Sequence, residues 1–338
     1  MNNYRILITT IFLHPGDEVD RRLRAEGWET IYKPFLTSRG EDELIDLLRG
    51  VDGVIVSSDP FTARVLDASP QLKVISRTGV GYDAIDVKAA TARGIIVCNT
   101  PGVNRHAVTE WTFALLLSCS RKLKENQAEV RKGGWTRHEG IDLAGKTLGL
   151  VGLGTIGKEV AQRACAFEMR ILACDVIRDV QFAEAHNVTF VPLEELLRES
   201  DFVSLHTFLS DKTRHLINDE RLSLMKPTAF LINTARGPIV DTEALCRALT
   251  EKRIAGAALD VFEGEPLRAD SPLRALENLY LSPHVAGATA DARSLSGATA
   301  AENLISALKG ERPQWILNPD VLIHINKCSS NSFTKETV

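Results

Sequence analysis

The sequence predicts an α/β protein built from two domains, each with a doubly wound parallel sheet. Short apolar runs alternate with helical patterns along nearly the whole chain, which is typical of βα units. The length of 338 residues suits two domains of ordinary size. Near the middle, one apolar run leads into a glycine-rich turn and a new helical pattern, which marks the start of the second sheet.

The first hundred residues alternate between strand and helix patterns and form the first domain. Apolar runs and helical spacing predict strands at 5–10, 29–32, 51–57, 72–76 and 95–98, with helices at 19–26, 41–49, 61–68 and 87–93. Gly27 and Gly50 follow two of these helices, as glycine commonly does at helix ends. This domain carries no glycine fingerprint of its own.

A helix is expected over 104–122, and its residues are apolar on nearly every side. A helix of this kind must be buried, either between domains or between subunits. The stretch 132–140 after it is glycine-rich and carries Trp135. This tryptophan is equally consistent with an exposed interface anchor and with core packing.

The second domain begins near Leu148 and continues as βα units. Its predicted strands are 148–151, 169–174, 188–191, 202–205, 229–233, 256–261 and 279–282. A last helix, rich in small residues, is expected at 288–308. We expect a disordered tail over 321–338, because its last part is polar and lacks periodicity.

Composition narrows the classes of function. Hydrophobic residues make up 44% and charged residues 25%, as in ordinary globular proteins. The net charge of −4 without a basic stripe argues against nucleic-acid binding. The six cysteines form no CxxC pair, so we expect mostly buried thiols, no metal site and a reducing cytoplasm. The most apolar helix candidate, 107–119, is too short to span a bilayer, so no membrane attachment is expected.

The glycine-rich turn carries the first functional signal. Gly152-x-Gly154-x-x-Gly157 follows an apolar strand and opens a helix. Gly152 makes the tight turn, Gly154 lets a backbone approach a pyrophosphate, and Gly157 lets the helix pack close to the strand. The next strand ends in Asp175, whose carboxylate can accept hydrogen bonds from a ribose diol. The pattern predicts a dinucleotide site and favours NAD over NADP, although Arg178 nearby weakens that preference.

Three strands of the second domain are followed by polar side chains, namely Arg236, Glu265 and His284. The carboxyl ends of parallel strands face the ligand crevice, so these residues are the candidates for chemistry. Arginine can hold a carboxylate and polarise an adjacent carbonyl, histidine can move the proton that accompanies a hydride, and glutamate can stabilise the imidazolium. Each alone has an ordinary explanation as an ion pair or loop residue. The set together, opposite a dinucleotide, predicts a hydride-transfer centre.

The chain resembles the D-isomer-specific 2-hydroxyacid dehydrogenases, and among them the phosphoglycerate dehydrogenases. The resemblance covers residues 5–319 and rests on the fingerprint and on the segments Arg77–Asp83, Asn99–Asn104, Asn233–Gly237, Leu259–Pro266 and Ser282–Gly287. It implies a Rossmann NAD-binding domain, residues 102–286, inserted into a flavodoxin-like substrate-binding domain formed by 1–101 and 287–320. It also implies a homodimer in which the NAD-binding domains form most of the interface.

The resemblance further implies roles for single residues. Catalysis is expected from Arg236 as substrate clamp and carbonyl polariser, His284 as acid/base and Glu265 as its partner. Substrate contacts are expected from Ser57, Arg77, Val80, Gly81, Arg236 and His284, with the N–H groups of Val80 and Gly81 gripping the carboxylate. NAD contacts are expected from Thr78, Gly152, Gly154, Thr155, Ile156, Gly157, Asp175, His206, Thr207, Thr213, Thr234, Ala235, Arg236, Asp260, His284, Ala286 and Gly287.

The implied reaction is hydride transfer between C2 of a D-2-hydroxy acid and NAD, with 3-phosphoglycerate, a serine precursor, as the leading substrate. Two positions depart from the family pattern. Phe208 replaces a frequent proline, and Ser57 replaces an arginine that several phosphoglycerate dehydrogenases use for the phosphate. A serine cannot neutralise a phosphate, which keeps a glyoxylate or hydroxypyruvate reductase as the alternative. An NAD-sensing, peptide-binding scaffold is the alternative from another class, although nothing in the sequence indicates a peptide groove.

Overall fold

The computed structural model describes residues 3–35 and 39–323. The chain divides into two compact units, the first made of Met1–Asn104 with Ala290–Val338 and the second of Arg105–Thr289. Most of the expected tail, 324–338, lies outside the described residues. Its first part, 321–323, is helical, and Val321 is fully buried in the core of the first unit.

The first unit begins with five strands that alternate with four helices. In chain order they are β1 (Arg5–Ile8), α1 (Glu18–Ala25), β2 (Glu29–Tyr32), α2 (Glu41–Leu47), β3 (Gly53–Val56), α3 (Ala63–Asp67), β4 (Val74–Arg77), α4 (Val87–Ala92) and β5 (Ile96–Cys98). The strand order is β2-β1-β3-β4-β5 with every pair parallel. This is the flavodoxin-like order, and β3 is buried along its whole length, as expected of a central parallel strand.

The second unit contains a seven-stranded sheet. Its helices and strands are α5 (Arg105–Ser120), α6 (Leu123–Arg131), β6 (Thr147–Val151), α7 (Thr155–Ala166), β7 (Arg170–Cys174), α8 (Val180–Ala185), β8 (Val188–Phe190), α9 (Leu193–Glu199), β9 (Phe202–Leu205), α10 (Asp219–Leu224), β10 (Phe230–Asn233), α11 (Thr242–Thr250), β11 (Gly256–Leu259) and β12 (Leu279–Leu281), with short 3₁₀ turns at Gly237–Ile239 and Pro272–Ala275. The parallel order β12-β11-β10-β9-β6-β7-β8 is the Rossmann order with one added strand. The predicted fold class is confirmed.

The apolar helix α5 is buried within its own unit. Phe113 and Leu116 belong to the same core cluster as Leu148 and Ala258 of the sheet. The helix ends at Ser120, before the predicted end at 122, because Lys122 adopts a left-handed conformation with φ of 48°. Helix α6 begins directly after this turn and was not predicted from the sequence.

The last helix, α12 (Ala290–Leu308), belongs to the first unit and packs on its sheet. Its small residues allow this close approach. A Cβ placed on Gly297 would lie 2.9 Å from Leu13 Cδ2, and the Ser76 hydroxyl on β4 donates to the carbonyl of Ala300 at 2.8 Å. The small-residue pattern seen in the sequence is therefore a packing feature of this helix.

The thiols only partly follow the expectation of burial. Cys98 and Cys119 are buried, Cys174 and Cys246 are half-buried, and Cys165 is exposed at the end of α7. The sixth, Cys328, lies outside the described residues. Across residues 3–35 and 39–323, none of the helices combines the length and apolar character needed to cross a membrane.

Candidate active site

The fingerprint turn joins β6 to α7, and its three glycines have different reasons to be glycine. Gly152 has φ of 100°, and a Cβ there would lie 2.7 Å from the main chain of His206. A Cβ on Gly157 would lie 2.2 Å from the carbonyl oxygen of Gly152. A Cβ on Gly154 would meet no atom of the described chain within 4 Å. The protein's own packing therefore requires the outer two, whereas Gly154 keeps open the space in front of the helix.

That open space fits a dinucleotide pyrophosphate. Gly154 precedes Thr155 and Ile156 at the start of α7, and no side-chain hydrogen bond caps the helix there. The first N–H groups of a helix lack intrahelical partners and attract an anion. The chemistry of the turn therefore matches the group that the fingerprint predicts.

Asp175 lies at the end of β7 and is fixed by the main chain. Its carboxylate accepts the N–H of Leu153 at 2.6 Å and the N–H of Ile177 at 3.0 Å. Val176 and Ile177 beside it are 93% and 79% exposed, which leaves an apolar surface next to the acid. The guanidinium of Arg178 lies over the Phe190 ring, 5.7 Å from its centroid. This arrangement suits a ribose diol with an adjoining base.

Arg236 is carried by a loop that Asn233 closes. The Asn233 side chain donates to the carbonyl of Arg236 at 2.9 Å and accepts the N–H of Ala235 at 3.0 Å. The Arg236 guanidinium in turn donates to the carbonyl of Ala235 at 2.7 Å. Asn233 is fully buried at the end of β10. Asn233 is part of the motif Asn233–Gly237, but no pattern in the sequence predicted this role for it.

Glu265 and His284 form the central contact of the site. Glu265 Oε2 lies 2.7 Å from His284 Nδ1, and Oε1 accepts the N–H of Phe262 at 3.0 Å. Burial alone would raise the pKa of the Glu265 carboxyl, but the hydrogen bond and charge of His284, the Phe262 N–H and the charge of Arg236 lower it overall. Glu265 therefore stays ionised beside the imidazole at neutral pH.

Asp260 holds the loop that carries His284. Its fully buried carboxylate accepts the Ser282 hydroxyl at 2.5 Å and the N–H groups of Val285 at 3.0 Å and Ala286 at 2.8 Å. Its carbonyl accepts the N–H of His284 at 2.8 Å. His284 itself has φ of 53°, a conformation that few residues other than glycine adopt. Asp260 thus fixes a strained loop, a role that the sequence analysis did not assign.

Gly237 explains how the arginine and glutamate loops come together. A Cβ on this residue would lie 1.9 Å from the main-chain carbon of Phe262, so the two loops touch through their backbones. Arg236 precedes Gly237, and Glu265 follows Phe262 by three positions. The structure therefore brings Arg236, Glu265 and His284 to one edge of the sheet, beyond β10, β11 and β12. A glycine directly after a functional arginine was the available signal for this contact.

The remaining cofactor candidates of this unit lie in the loops around the same edge. His206 is half-buried, its Nε2 lies 2.9 Å from Ser204 Oγ, and burial lowers its pKa to about 4, so it is neutral at neutral pH. The Thr213 hydroxyl donates to the carbonyl of Phe208 at 2.7 Å and so shapes the loop that contains Thr207. Other candidates follow β10 and β12, namely Thr234, Ala235, Ala286 and Gly287.

The predicted substrate residues of the first unit lie at the end of β4, where Arg77 is the last residue, and in the loops that follow β3 and β4. Thr100 Oγ1 accepts the N–H of Gly79 at 2.7 Å, and Asn99 donates to the carbonyl of Val80 at 2.7 Å. Within the described residues, the N–H groups of Val80 and Gly81 donate to no acceptor. Consecutive free N–H groups in such a loop can bind an anion.

Arg77 braces this loop. Its Nε donates to the carbonyl of Ser57 at 3.0 Å, and its Nη1 donates to the carbonyl of Thr78 at 3.3 Å. The guanidinium lies where a Cβ on Gly79 would be, only 1.8 Å from Nη1. Arg77 therefore has a structural task beside the substrate contact that the resemblance implies.

The fold and the site together define a class of protein, the oxidoreductases that use a nicotinamide cofactor. The defining features are two doubly wound sheets, a fingerprint turn and the set of Arg236, Glu265 and His284. The family model described as "D-isomer specific 2-hydroxyacid dehydrogenase, NAD binding domain" matches residues 113–286. A glyoxylate reductase from Korarchaeum cryptofilum is 44% identical over 324 residues, which cover 92% of this chain and 98% of that protein. The chain belongs to the D-isomer-specific 2-hydroxyacid dehydrogenase family.

Two solved structures are similar over most of their length. A D-lactate dehydrogenase from Aquifex aeolicus, complexed with NAD and lactic acid, has a TM-score of 0.79 and 31% identity and covers 91% of this chain and 96% of its own. An NADPH-dependent glyoxylate/hydroxypyruvate reductase from Sinorhizobium meliloti, in complex with NADP and malonate, has a TM-score of 0.82 and 32% identity and covers 94% of this chain and 97% of its own.

The protein is therefore a 2-hydroxyacid dehydrogenase that uses a nicotinamide cofactor. These comparisons confirm the predicted family, fold and class of enzyme. They do not support the expected closeness to the phosphoglycerate dehydrogenases, or a part in serine biosynthesis. The alternative in the sequence analysis, a glyoxylate or hydroxypyruvate reductase, fits the relatives better.

Proposed function

We propose that this enzyme is a glyoxylate reductase that also accepts hydroxypyruvate. The names of its relatives support this substrate class. The observation that carries the proposed chemistry is the 2.7 Å contact between Glu265 and His284 on the sheet edge that also holds Arg236. In this proposal the second unit is the NAD-binding domain and the first is the substrate-binding domain.

Each group of the site has a defined task in the proposed reduction. When bound, the reduced nicotinamide supplies a hydride to C2 of the keto acid. His284 gives a proton to the keto oxygen through Nε2, because Nδ1 is held by Glu265. Glu265 stabilises the imidazolium before the transfer, and Arg236 polarises the carbonyl and binds the carboxylate. Within the first unit, the free N–H groups of Val80 and Gly81 form an anion site of the kind that suits a carboxylate.

Ser57 supports an unphosphorylated substrate. It stands just after β3, and its carbonyl already accepts from Arg77. The hydroxyl can donate one hydrogen bond, but it carries no charge to balance a phosphate. A two- or three-carbon keto acid makes no such demand.

We also propose NAD rather than NADP as the preferred cofactor. A 2′-phosphate near Asp175 would meet a carboxylate held in place by two main-chain N–H groups. Replacing Asp175 with alanine should weaken NADH binding and reduce the preference for NADH over NADPH, since the like charge is gone. Ratios of kcat/KM for the two cofactors measure this, with Asp179→Ala as a control on the same loop. An unchanged ratio would contradict the role of Asp175.

Two further features complete the proposal, a homodimer and a cytoplasmic location. The second unit exposes the large apolar side chains of Leu117, Val130, Trp135 and Phe167, and large exposed apolar side chains are candidates for an interface. The five described cysteines are free thiols, which suits a reducing compartment.

A substrate panel tests the proposed function. Purified enzyme is assayed with glyoxylate, hydroxypyruvate, pyruvate and phosphohydroxypyruvate, each with NADH and with NADPH. We expect the highest kcat/KM with glyoxylate or hydroxypyruvate and NADH. The variant Ser57→Arg should raise kcat/KM for phosphohydroxypyruvate relative to the other substrates, because the arginine adds a positive charge for the phosphate. A preference of the unmodified enzyme for phosphohydroxypyruvate would refute the proposal.

A further inference from the structure

A second histidine–carboxylate pair lies beside the first. His215 Nε2 is 2.6 Å from Glu263 Oε1, and the two side chains are 43% and 30% exposed. Glu263 precedes Glu265 by two residues, so both acids belong to one loop after β11. The resemblance to the family gave neither His215 nor Glu263 a role.

His215 connects three segments of the candidate site. It belongs to the loop after β9 that also contains Thr207 and Thr213. Its main-chain N–H donates to the carbonyl of Pro238 at 2.8 Å, two residues after Arg236. Its side chain contacts the loop of Glu265. One residue thus ties the cofactor loop to the loops of the arginine and the glutamate.

Glu263 is anchored on its other side by a helix. Its Oε2 accepts the N–H of Thr242, the first residue of α11, at 3.1 Å. Burial alone would raise the pKa of the Glu263 carboxyl, but the hydrogen bonds from Thr242 and His215 lower it overall. Glu263 is therefore ionised at neutral pH, and its charge is favoured at the start of a helix.

The loop between the two acids has little freedom. Glu263 is held by His215 and Thr242, and the main chain of Phe262 and Glu263 lies against Gly237. Glu265 is held by the N–H of Phe262. A shift of Glu263 would therefore move the main chain that sets the distance from Glu265 to His284.

The backbone at His215 allows its side chain to be removed without adding strain. Its φ of 49° lies in the left-handed region, where glycine is the least strained residue. Lys252, with φ of 54° and an exposed side chain, has the same backbone conformation at the end of α11. It provides a matched comparison in the same unit.

We propose that His215 and Glu263 form a positioning pair that holds Glu265 in place for His284 and fixes the loop of Thr207 and Thr213 beside it. The proposal rests on the acid/base role of His284 proposed above. In this proposal His215 acts through Glu265 and not directly on the reacting atoms.

The variant His215→Gly separates this role from a backbone role. Glycine is unstrained in the left-handed conformation of both residues. The melting temperature of His215→Gly should therefore stay close to that of Lys252→Gly. We expect kcat to fall about tenfold, because small misplacements of a catalytic group are costly, while KM for the keto acid changes less than about twofold. The high-pH limb of the pH–rate profile for reduction should move to lower pH, since a displaced Glu265 stabilises the imidazolium less well.

Two further variants complete the test. Glu263→Gln keeps an acceptor for the N–H of Thr242 and should show the same loss in kcat as His215→Gly. The double variant that combines His215→Gly and Glu263→Gln should have a kcat no lower than that of either single variant. His215→Gln keeps a donor and should restore most of the activity. Wild-type kcat in His215→Gly, an unmoved pH limb, or additive losses in the double variant would overturn the proposal. If His215→Gly is unstable, kcat and the high-pH limb of the pH–rate profile are measured for Glu263→Gln alone and decide the proposal in the same way.

The assay uses whichever keto acid the enzyme reduces best, so the identity of the substrate does not affect the result. Measuring His284→Asn in parallel keeps the two proposals apart. Activity retained in that variant refutes the acid/base assignment itself. Activity lost in it but retained in His215→Gly and Glu263→Gln refutes only the positioning pair.

Discussion

At the scale of single residues, the orientation of His284 is fixed from two directions. Glu265 holds Nδ1 at 2.7 Å, and the carbonyl of Asp260 accepts the main-chain N–H at 2.8 Å. The ring therefore has one nitrogen committed to the protein and one left for the substrate. This arrangement of the two ring nitrogens suits a general acid, because the proton must leave from a single, oriented position.

Replacing His284 with asparagine should lower kcat by about two to four orders of magnitude, the usual contribution of general acid–base catalysis. The loop should survive, because asparagine tolerates positive φ and the contacts of Asp260 to Ser282, Val285 and Ala286 remain. NADH titration by fluorescence should give nearly unchanged binding. The exposed His14→Asn serves as control, and turnover within a few-fold of wild type in His284→Asn would remove the residue as the acid.

At the scale of elements, the buried carboxylate of Asp260 decides the shape of the loop after β12. Changing it to asparagine should lower the free energy of unfolding by about 1–3 kcal/mol, because an amide cannot accept from both sides and leaves a buried N–H unpaired. It should also lower kcat, since His284 loses its fixed position. Chemical denaturation and steady-state kinetics on one preparation measure both. Equal stability of the variant and wild type would contradict this role.

The strands and most helices were predictable, since hydrophobic periodicity reports directly on which face of an element is buried. Helix α6 was not, because its sequence Leu-Lys-Glu-Asn-Gln-Ala-Glu-Val-Arg is mostly polar and its start depends on the left-handed turn at Lys122. In the site, side chains beyond strand ends could be listed as candidates. The tasks of Asn233 and Asp260 could not be predicted, because they arise from contacts within loops whose paths no periodicity encodes.

At the scale of the whole molecule, acid stability depends on buried carboxylates such as Asp20 in the first unit. Burial alone would raise its pKa, but hydrogen bonds from Thr30, the Gly16 N–H, Arg24 and Tyr32 lower it overall. Because the pKa of Asp20 is lower in the folded state, its ionised carboxylate stabilises the fold. This stabilisation is complete above the pKa of the unfolded state, about 3.9, and is lost as pH falls through the pKa of the folded state.

Asp20→Asn should therefore be less stable than wild type at pH 7 and should lose less stability on going from pH 5 to pH 3. Urea denaturation midpoints at these pH values measure the effect. Asp46→Asn is the control, because Asp46 is an exposed member of an ion pair with Arg49 in the same unit. If the urea midpoint of Asp20→Asn falls as steeply between pH 5 and pH 3 as that of wild type, Asp20 does not govern the loss of stability in acid.

The exposed apolar surface of the second unit bears on assembly. Trp135 is 78% exposed, although its loop is ordered: Glu129 accepts the Thr136 N–H at 3.3 Å, and Asn126 and His138 exchange two hydrogen bonds of 2.9 Å. A tryptophan presented on a fixed loop costs little entropy to bury and is a typical interface anchor. Core packing, the other interpretation of Trp135, does not apply.

The proposed homodimer makes Trp135 a testable contact. A pocket of about 310 Å³ lies on the same unit, and its lining is mixed, with Leu117 and Phe167 beside charged residues such as Arg121 and Glu168. Trp135→Ala should weaken the dimer by about 2 kcal/mol or more, roughly 30-fold in the dissociation constant. Sedimentation over a range of concentrations measures this, with Leu295→Ala on the first unit as control. A monomeric wild type, or a variant that dimerises as tightly as the control, would refute the proposed interface.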